Sequence, residues 1–197
     1  MITLPNKITI TRIILVPIMV MVVLIPGFQK IETILALSLG ELLFALLFLL
    51  GSFSDFLDGY LARKRNEITT LGIFLDPIAD KLITITAILY IVAMRTNYNW
   101  WWSLVVVILF REFGVMALRT LAAKDNKVIA ANIFGKIKTV LTMISIILFL
   151  FNGFGLFYLM GAQAQYLLDS VFYLAVLTTL ISGLIYFWQN KEVLIKE

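Results

Sequence analysis

Ser54-Asp55-Phe56-Leu57-Asp58-Gly59-Tyr60-Leu61-Ala62-Arg63 closes one long apolar run, and Asp76-Pro77-Ile78-Ala79-Asp80 follows the start of the next. Carboxylates at the edges of apolar segments are costly unless they meet a wet cavity, a metal or a counter-charge. On helices, Asp55 and Asp58 stand at i,i+3 and Asp76 and Asp80 at i,i+4, so each pair projects from one face. Two antiparallel helices joined by a short loop bring the four together. Converging hard oxygen donors suit Mg²⁺ or Mn²⁺. Two such ions about 3.5–4 Å apart clamp the attacking and leaving oxygens of an in-line displacement. Gly59 and Gly72 lack a Cβ and let another helix or a flat ligand come close. Ala62 keeps the face of Asp58 small, and Arg63 suits a phosphate. The pattern predicts a two-metal phosphoryl-transfer site in a membrane protein. The plainer alternative is that the carboxylates pair with Arg63, Lys81 or Arg111 to hold helices together. Four like charges make that arrangement costly without cations.

The surrounding composition fits a membrane. Of 197 residues, 61% are hydrophobic, well beyond a soluble domain of this size. A span needs roughly 20 apolar residues. Six such stretches are expected, near residues 8–25, 34–63, 72–93, 100–121, 133–151 and 166–188. The reading is an all-α, polytopic membrane protein with six transmembrane helices in one domain, 1–197. The first apolar run ends Ile25-Pro26-Gly27 without a small-residue cleavage site, and reads as the first span. Cysteine and histidine are both absent, which excludes disulfides, thiolate metal sites and an imidazole base. Proton chemistry then falls to carboxylate, Lys or Tyr.

With six spans, Lys7, Arg12, Arg63, Lys64, Arg65, Lys124, Lys127, Lys191 and Lys196 fall on one side, and Lys30 and Arg95 on the other. The excess of basic residues places both termini and the four Asp on the cytoplasmic side. A charge of +4 spread in this way points to anionic phosphate groups, not to nucleic acid. Trp100-Trp101-Trp102 reads as an interfacial aromatic belt. Glu41 is expected mid-span, in an interhelical hydrogen bond, and Asp169 at the outer interface.

The spacing Asp-x-x-Asp-Gly-x-x-Ala-Arg, eight residues, Gly, three residues, Asp, three residues, Asp resembles the signature of the CDP-alcohol phosphotransferases. Asp55, Asp58, Gly59, Ala62, Arg63, Gly72, Asp76 and Asp80 fill its fixed positions. Three further stretches are similar to a bacterial branch of that family: Leu4-Pro5-Asn6-Lys7-Ile8-Thr9 with Arg12, Arg111-Glu112-Phe113 with Arg119, and Gly135-Lys136-Ile137-Lys138-Thr139. The resemblance implies a six-helix homodimer in the bacterial cell membrane. It implies transfer of a phosphatidyl group from CDP-diacylglycerol to sn-glycerol 3-phosphate, releasing CMP. It also implies that Asp55, Asp58, Asp76 and Asp80 hold two divalent cations, Mg²⁺ or Mn²⁺, and that Asp80 is the general base. Asp55, Asp58, Gly59, Ala62, Arg63 and Gly72 match the cytidine nucleotide site.

An acceptor phosphate needs cations of its own, and Arg111, Arg119, Lys136 and Lys138 are the candidates. Snorkelling and topology are the alternative for each, and Glu112 is a ready partner for Arg111. Lys124 and Lys127 read as topology charges. Asn6, Thr9 and Arg12 either form an interfacial helix covering the nucleotide or metal site, or are an N-cap plus a topology charge. Serine, inositol phosphate or phosphatidylglycerol is the alternative acceptor. A Mg²⁺ transporter is the reading from another class. It predicts acids through the membrane depth or at both mouths, whereas these lie on one side, beside Arg and Gly.

Overall fold

Ser38-Leu39-Gly40-Glu41 sets where the helix carrying Asp55 begins. The Ser38 backbone N–H donates to Glu41 Oε2 at 2.8 Å, and the Glu41 N–H donates to Ser38 Oγ at 3.3 Å. This reciprocal capping box satisfies two backbone donors that a helix start leaves unpaired. The helix therefore begins at Leu39 and not near Ile34, where the chain makes only a short 3₁₀ turn, Ile34–Ala36. Glu41 is accordingly a first-turn cap. It also accepts a long hydrogen bond, 3.4 Å, from Tyr90 Oη, so the expected interhelical contact exists alongside the cap.

The computed structural model describes residues 3–65, 70–94, 100–124, 129 and 133–192. The side chains of residues 5, 56–65, 70, 71, 73 and 124 lie outside that description. In chain order the helices are α1 (Leu4–Leu24), α2 (Pro26–Gln29), α3 (Leu39–Arg65), α4 (Thr70–Met94), α5 (Trp101–Lys124), α6 (Ile133–Leu150), α7 (Leu156–Met160) and α8 (Gln163–Gln189). Among the described residues there is no strand, only an isolated bridge between Glu32 and Ser38. The six long helices coincide with the six apolar stretches of the sequence. Four of them contain segments long and apolar enough to cross a membrane: Asn6–Leu24, Phe74–Met94, Ile133–Leu150 and Gln163–Gln189. Outward-facing Phe110, Leu184 and Trp188, each at least 70% exposed, suit lipid contact.

α1 starts at Leu4, earlier than the apolar run alone implies, because Pro5 occupies its first turn. Asn6 and Thr9 are therefore inside the helix. The N-cap is Thr3, which makes no side-chain cap bond. The N-cap reading of Asn6 and Thr9 is thus corrected.

The chain packs as two units. One comprises Met1–Ile91 with Leu150–Gly155. Its centre is α1 against α3, with Met19, Phe44, Phe48, Ile88 and Ile91 fully or almost fully buried. Phe44 stacks on Tyr90 with ring centroids 4.3 Å apart, which ties α3 to α4. Asn152 Nδ2 donates to the Leu35 carbonyl at 3.0 Å. Gly40 and Gly51 mark the close approaches. A Cβ on Gly40 would lie 2.8 Å from the Val22 carbonyl oxygen of α1, and one on Gly51 would lie 2.5 Å from Ile83 Cδ1 of α4.

The other unit comprises Val92–Phe149 with Leu156–Glu197. α5 packs on α8 through Val115, Leu118 and Tyr186. The Trp triplet divides here. Trp100 and Trp102 are more than half exposed, as a belt requires, but Trp101 is fully buried. Trp101 stacks on Phe172 at 4.5 Å and donates from Nε1 to Tyr173 Oη at 3.0 Å. Consecutive helical residues point about 100° apart, so one Trp of three turns inward. Asp169 is also buried, at 4% exposure, and accepts from Gln165 Nε2 at 2.7 Å.

Gly40→Ala is expected to destabilise the protein by about 1–3 kcal/mol, because its new Cβ meets backbone that cannot yield. Gly51→Ala meets only the end of an Ile side chain and costs less, while Gly27→Ala meets nothing within 4 Å. Thermal unfolding in detergent should rank the melting temperatures Gly27→Ala, Gly51→Ala, Gly40→Ala, from highest to lowest.

Candidate active site

In the first unit the acidic residues are held by α1. Asn6, Thr9 and Arg12 recur every three residues and share one face of that helix. All three are buried, at 3%, 1% and 1% exposure. Thr9 Oγ1 donates to Asp76 Oδ1 at 2.7 Å. The Arg12 guanidinium pairs with Asp55 Oδ1 and makes a long contact, 3.5 Å, from Nε to Ser54 Oγ. Ser54 in turn donates to the Gly51 carbonyl at 2.7 Å. Arg12 thus lies inside α1, with its guanidinium against Asp55 and Ser54.

Asp80 and Asp76 of α4 both repel Asp55 of α3, so the two helices bring these carboxylates within electrostatic reach of Asp55. Asp80 Oδ2 also lies 3.2 Å from Lys81 Nζ, and its backbone carbonyl accepts from Thr84 Oγ1 at 3.0 Å. Lys81 pairs with Asp80 within α4 and so ties no two helices together. Arg111 instead pairs with Glu112. Gly72 is buried on α4. Asp58, Gly59, Ala62 and Arg63 lie on α3, with their side-chain placement outside the described residues.

Asp55 and Asp80 side chains are each 47% exposed, so both remain open to a ligand. Their donors are hard oxygens, and their mutual repulsion is relieved by a cation, so the set fits Mg²⁺ or Mn²⁺. Among the described residues no three acidic side chains close into a cage by themselves. Asp58, the fourth expected ligand, is not among them.

The second unit holds the basic residues. Glu112 Oε1 accepts from Arg111 Nη1 at 3.0 Å and pairs with Lys138 Nζ of α6. Arg111 Nη2 donates to Ser182 Oγ of α8 at 2.7 Å. All three ionic side chains are close to nine-tenths buried or more, and one carboxylate faces two cations. The Arg111 Nε is buried without a hydrogen-bond partner among the described residues. Arg119 lies apart from this triad. Its Nε donates to Tyr186 Oη at 2.9 Å, and its guanidinium lies 5.5 Å from the same ring. Lys136 is exposed on α6. The structure thus joins Arg111 and Lys138 through Glu112 and places Arg119 and Lys136 elsewhere in the same unit. Ser54, Ser182 and Tyr186 carried no sequence signal, since single hydroxyls in apolar helices are common. Glu112, next to Arg111, was the visible clue to the triad.

Carboxylates on α3 and α4 are thus hydrogen-bonded or ion-paired from α1. The chain belongs to the CDP-alcohol phosphatidyltransferase family, whose family model matches residues 2–181. A Bacillus subtilis protein named CDP-diacylglycerol–glycerol-3-phosphate 3-phosphatidyltransferase is 38% identical to it, with 98% of each chain covered. Proteins of the same name from Rickettsia felis, at 35% with 96% of each chain covered, and Salmonella choleraesuis, at 30% with 92% and 91% covered, are also similar.

Removing Glu112 leaves two buried cations without their carboxylate. Glu112→Ala is expected to lose about 3–5 kcal/mol of stability. Adding Lys138→Met should recover part of that loss. The double-mutant cycle, read by thermal unfolding, fails if the two losses simply add.

Proposed function

We propose that this protein is an integral membrane enzyme that transfers the phosphatidyl group of CDP-diacylglycerol to sn-glycerol 3-phosphate, giving phosphatidylglycerophosphate and CMP. The observation that carries the reading is the hydrogen-bonded support of Asp76 by Thr9 and of Asp55 by Arg12, both from α1, with Asp80 acting electrostatically on Asp55, in a chain of this family. Full-length similarity to relatives that bear the activity in their names supports the acceptor. Two divalent cations, Mg²⁺ or Mn²⁺, would be held by Asp55, Asp58, Asp76 and Asp80, and would neutralise the phosphates of the donor. Asp55, Asp58, Gly59, Ala62, Arg63 and Gly72 form the nucleotide site, where small residues admit the flat cytidine ring and Arg63 binds a phosphate oxygen.

Asp80 is the general base. Its carboxylate takes the proton of the primary hydroxyl of glycerol 3-phosphate as that oxygen attacks the lipid-side phosphorus. The phosphorus–oxygen bond to CMP breaks, and CMP leaves. With no histidine in the chain, a carboxylate is the natural base. Its 47% exposure lets a soluble alcohol reach it. Arg111 and Lys138 bind the acceptor's phosphate, with Arg111 Nε, which has no partner among the described residues, as one donor, and Arg119 and Lys136 would have to come to it from elsewhere in the same unit.

In this reading the whole chain is one catalytic domain. α1, α3, α4, α5, α6 and α8 span the bacterial cell membrane. The basic loops keep both termini and the acidic residues on the cytoplasmic side. The functional assembly is the homodimer implied by the family resemblance, and nucleic acid has no part in it.

The test is CMP release by purified protein in detergent with CDP-diacylglycerol and Mg²⁺, one acceptor at a time. Release that requires glycerol 3-phosphate and is lost with EDTA is expected. Release only with serine, inositol phosphate or phosphatidylglycerol keeps the chemistry and changes the acceptor. No release from folded protein returns the transporter reading. Asp80→Asn should abolish turnover while donor binding persists, and full activity in that variant removes Asp80 as base. Lys136→Ala should raise KM for glycerol 3-phosphate much more than KM for CDP-diacylglycerol. Equal rises would take Lys136 out of the acceptor site.

A further inference from the structure

α1 could be buried against α3 with apolar side chains alone, yet the face it turns inward carries a hydroxyl and a guanidinium. Each contacts one carboxylate from a different helix: Thr9 meets Asp76 of α4, and Arg12 meets Asp55 of α3. A carboxylate on a single flexible side chain can rotate about two bonds. A donor fixed on one of its oxygens sets its plane and leaves the other oxygen free to point at a ligand. Thr9 can play that part. It is 1% exposed and β-branched on a helix, which leaves its side chain two main rotamers, and the one adopted places the hydroxyl on Asp76. Arg12 adds a charge where Asp55 is repelled by Asp76 and Asp80.

We propose that Thr9 is a positioning residue for Asp76, and that its hydrogen bond on Oδ1 presents the remaining carboxylate oxygen to a divalent cation, with Arg12 doing the same for Asp55. The inference rests on the ion-binding reading of the acidic residues given above. α1 is then the outer shell of the site as well as a span. Its polar face is set by the carboxylates it orients.

The experiment is titration of the purified full-length protein with Mn²⁺ alone, free ion being read by electron paramagnetic resonance. It compares the natural protein with Thr9→Val and Thr9→Ser. Valine keeps the shape and removes the donor, whereas serine keeps the donor. Loss of such an outer hydrogen bond weakens metal affinity by roughly 10- to 100-fold. The expected result is a loss of that size in Thr9→Val and affinity close to the natural protein's in Thr9→Ser. Should Thr9→Val fail to fold, Thr9→Ala, which cannot clash, replaces it. Equal affinity in the donor-free variant and the natural protein overturns the role of Thr9 and leaves the ion-binding reading intact. Equal weakening in the serine variant overturns the hydroxyl as its cause. If the natural protein takes up no Mn²⁺, the ion-binding reading falls and this inference falls with it.

Discussion

Like charges on neighbouring apolar helices repel, and the first unit is built around that repulsion. Asp55 of α3 is repelled by Asp80 and Asp76 of α4. A buried or half-buried cluster of this kind is stable only with compensating charge and hydrogen bonds. Arg12 and Thr9 from α1 and Lys81 from α4 supply part of it. The packing follows the same need. α1 lies tightly against α3, with Gly40 permitting backbone contact near one end and Gly51 making room for Ile83 nearer the acids. These glycines bring the helices close enough for side chains on three of them to share one polar cluster.

In the second unit Arg111 and Lys138 both pair with the carboxylate of Glu112. Ser182 takes one guanidinium donor, and another has no partner among the described residues. Groups left in this state are costly in a purely structural role. A bound anion would offset that cost.

Much of this was legible in the chain before any coordinates. The six long helices follow the apolar stretches, since hydrophobic runs bounded by charge and Pro or Gly leave little choice. The acidic pairs were visible because their i,i+3 and i,i+4 spacings are fixed by helix geometry. Boundaries were less legible. Glu41 was expected mid-span although Ser38 three residues earlier spelled a capping box, a local pattern hidden inside a longer apolar run. Arg12 was counted with the loop charges, because a one-dimensional reading cannot tell a snorkelling Arg from one folded onto a carboxylate 43 residues away. Trp101 was grouped with its neighbours for the same reason: belt and core differ only by which way a helix turns. The partners Ser54, Ser182 and Tyr186 are tertiary facts, fixed by packing across helices.

The central claim is that the acidic residues of α3 and α4 hold two divalent ions side by side. The most direct measurement is the number and magnetic coupling of Mn²⁺ ions bound to purified protein in detergent. The account predicts two per chain with the spectrum of a coupled pair, a signal lost when Asp55 and Asp76 are both replaced by Asn. A single uncoupled ion, or a pair that survives those replacements, would contradict it.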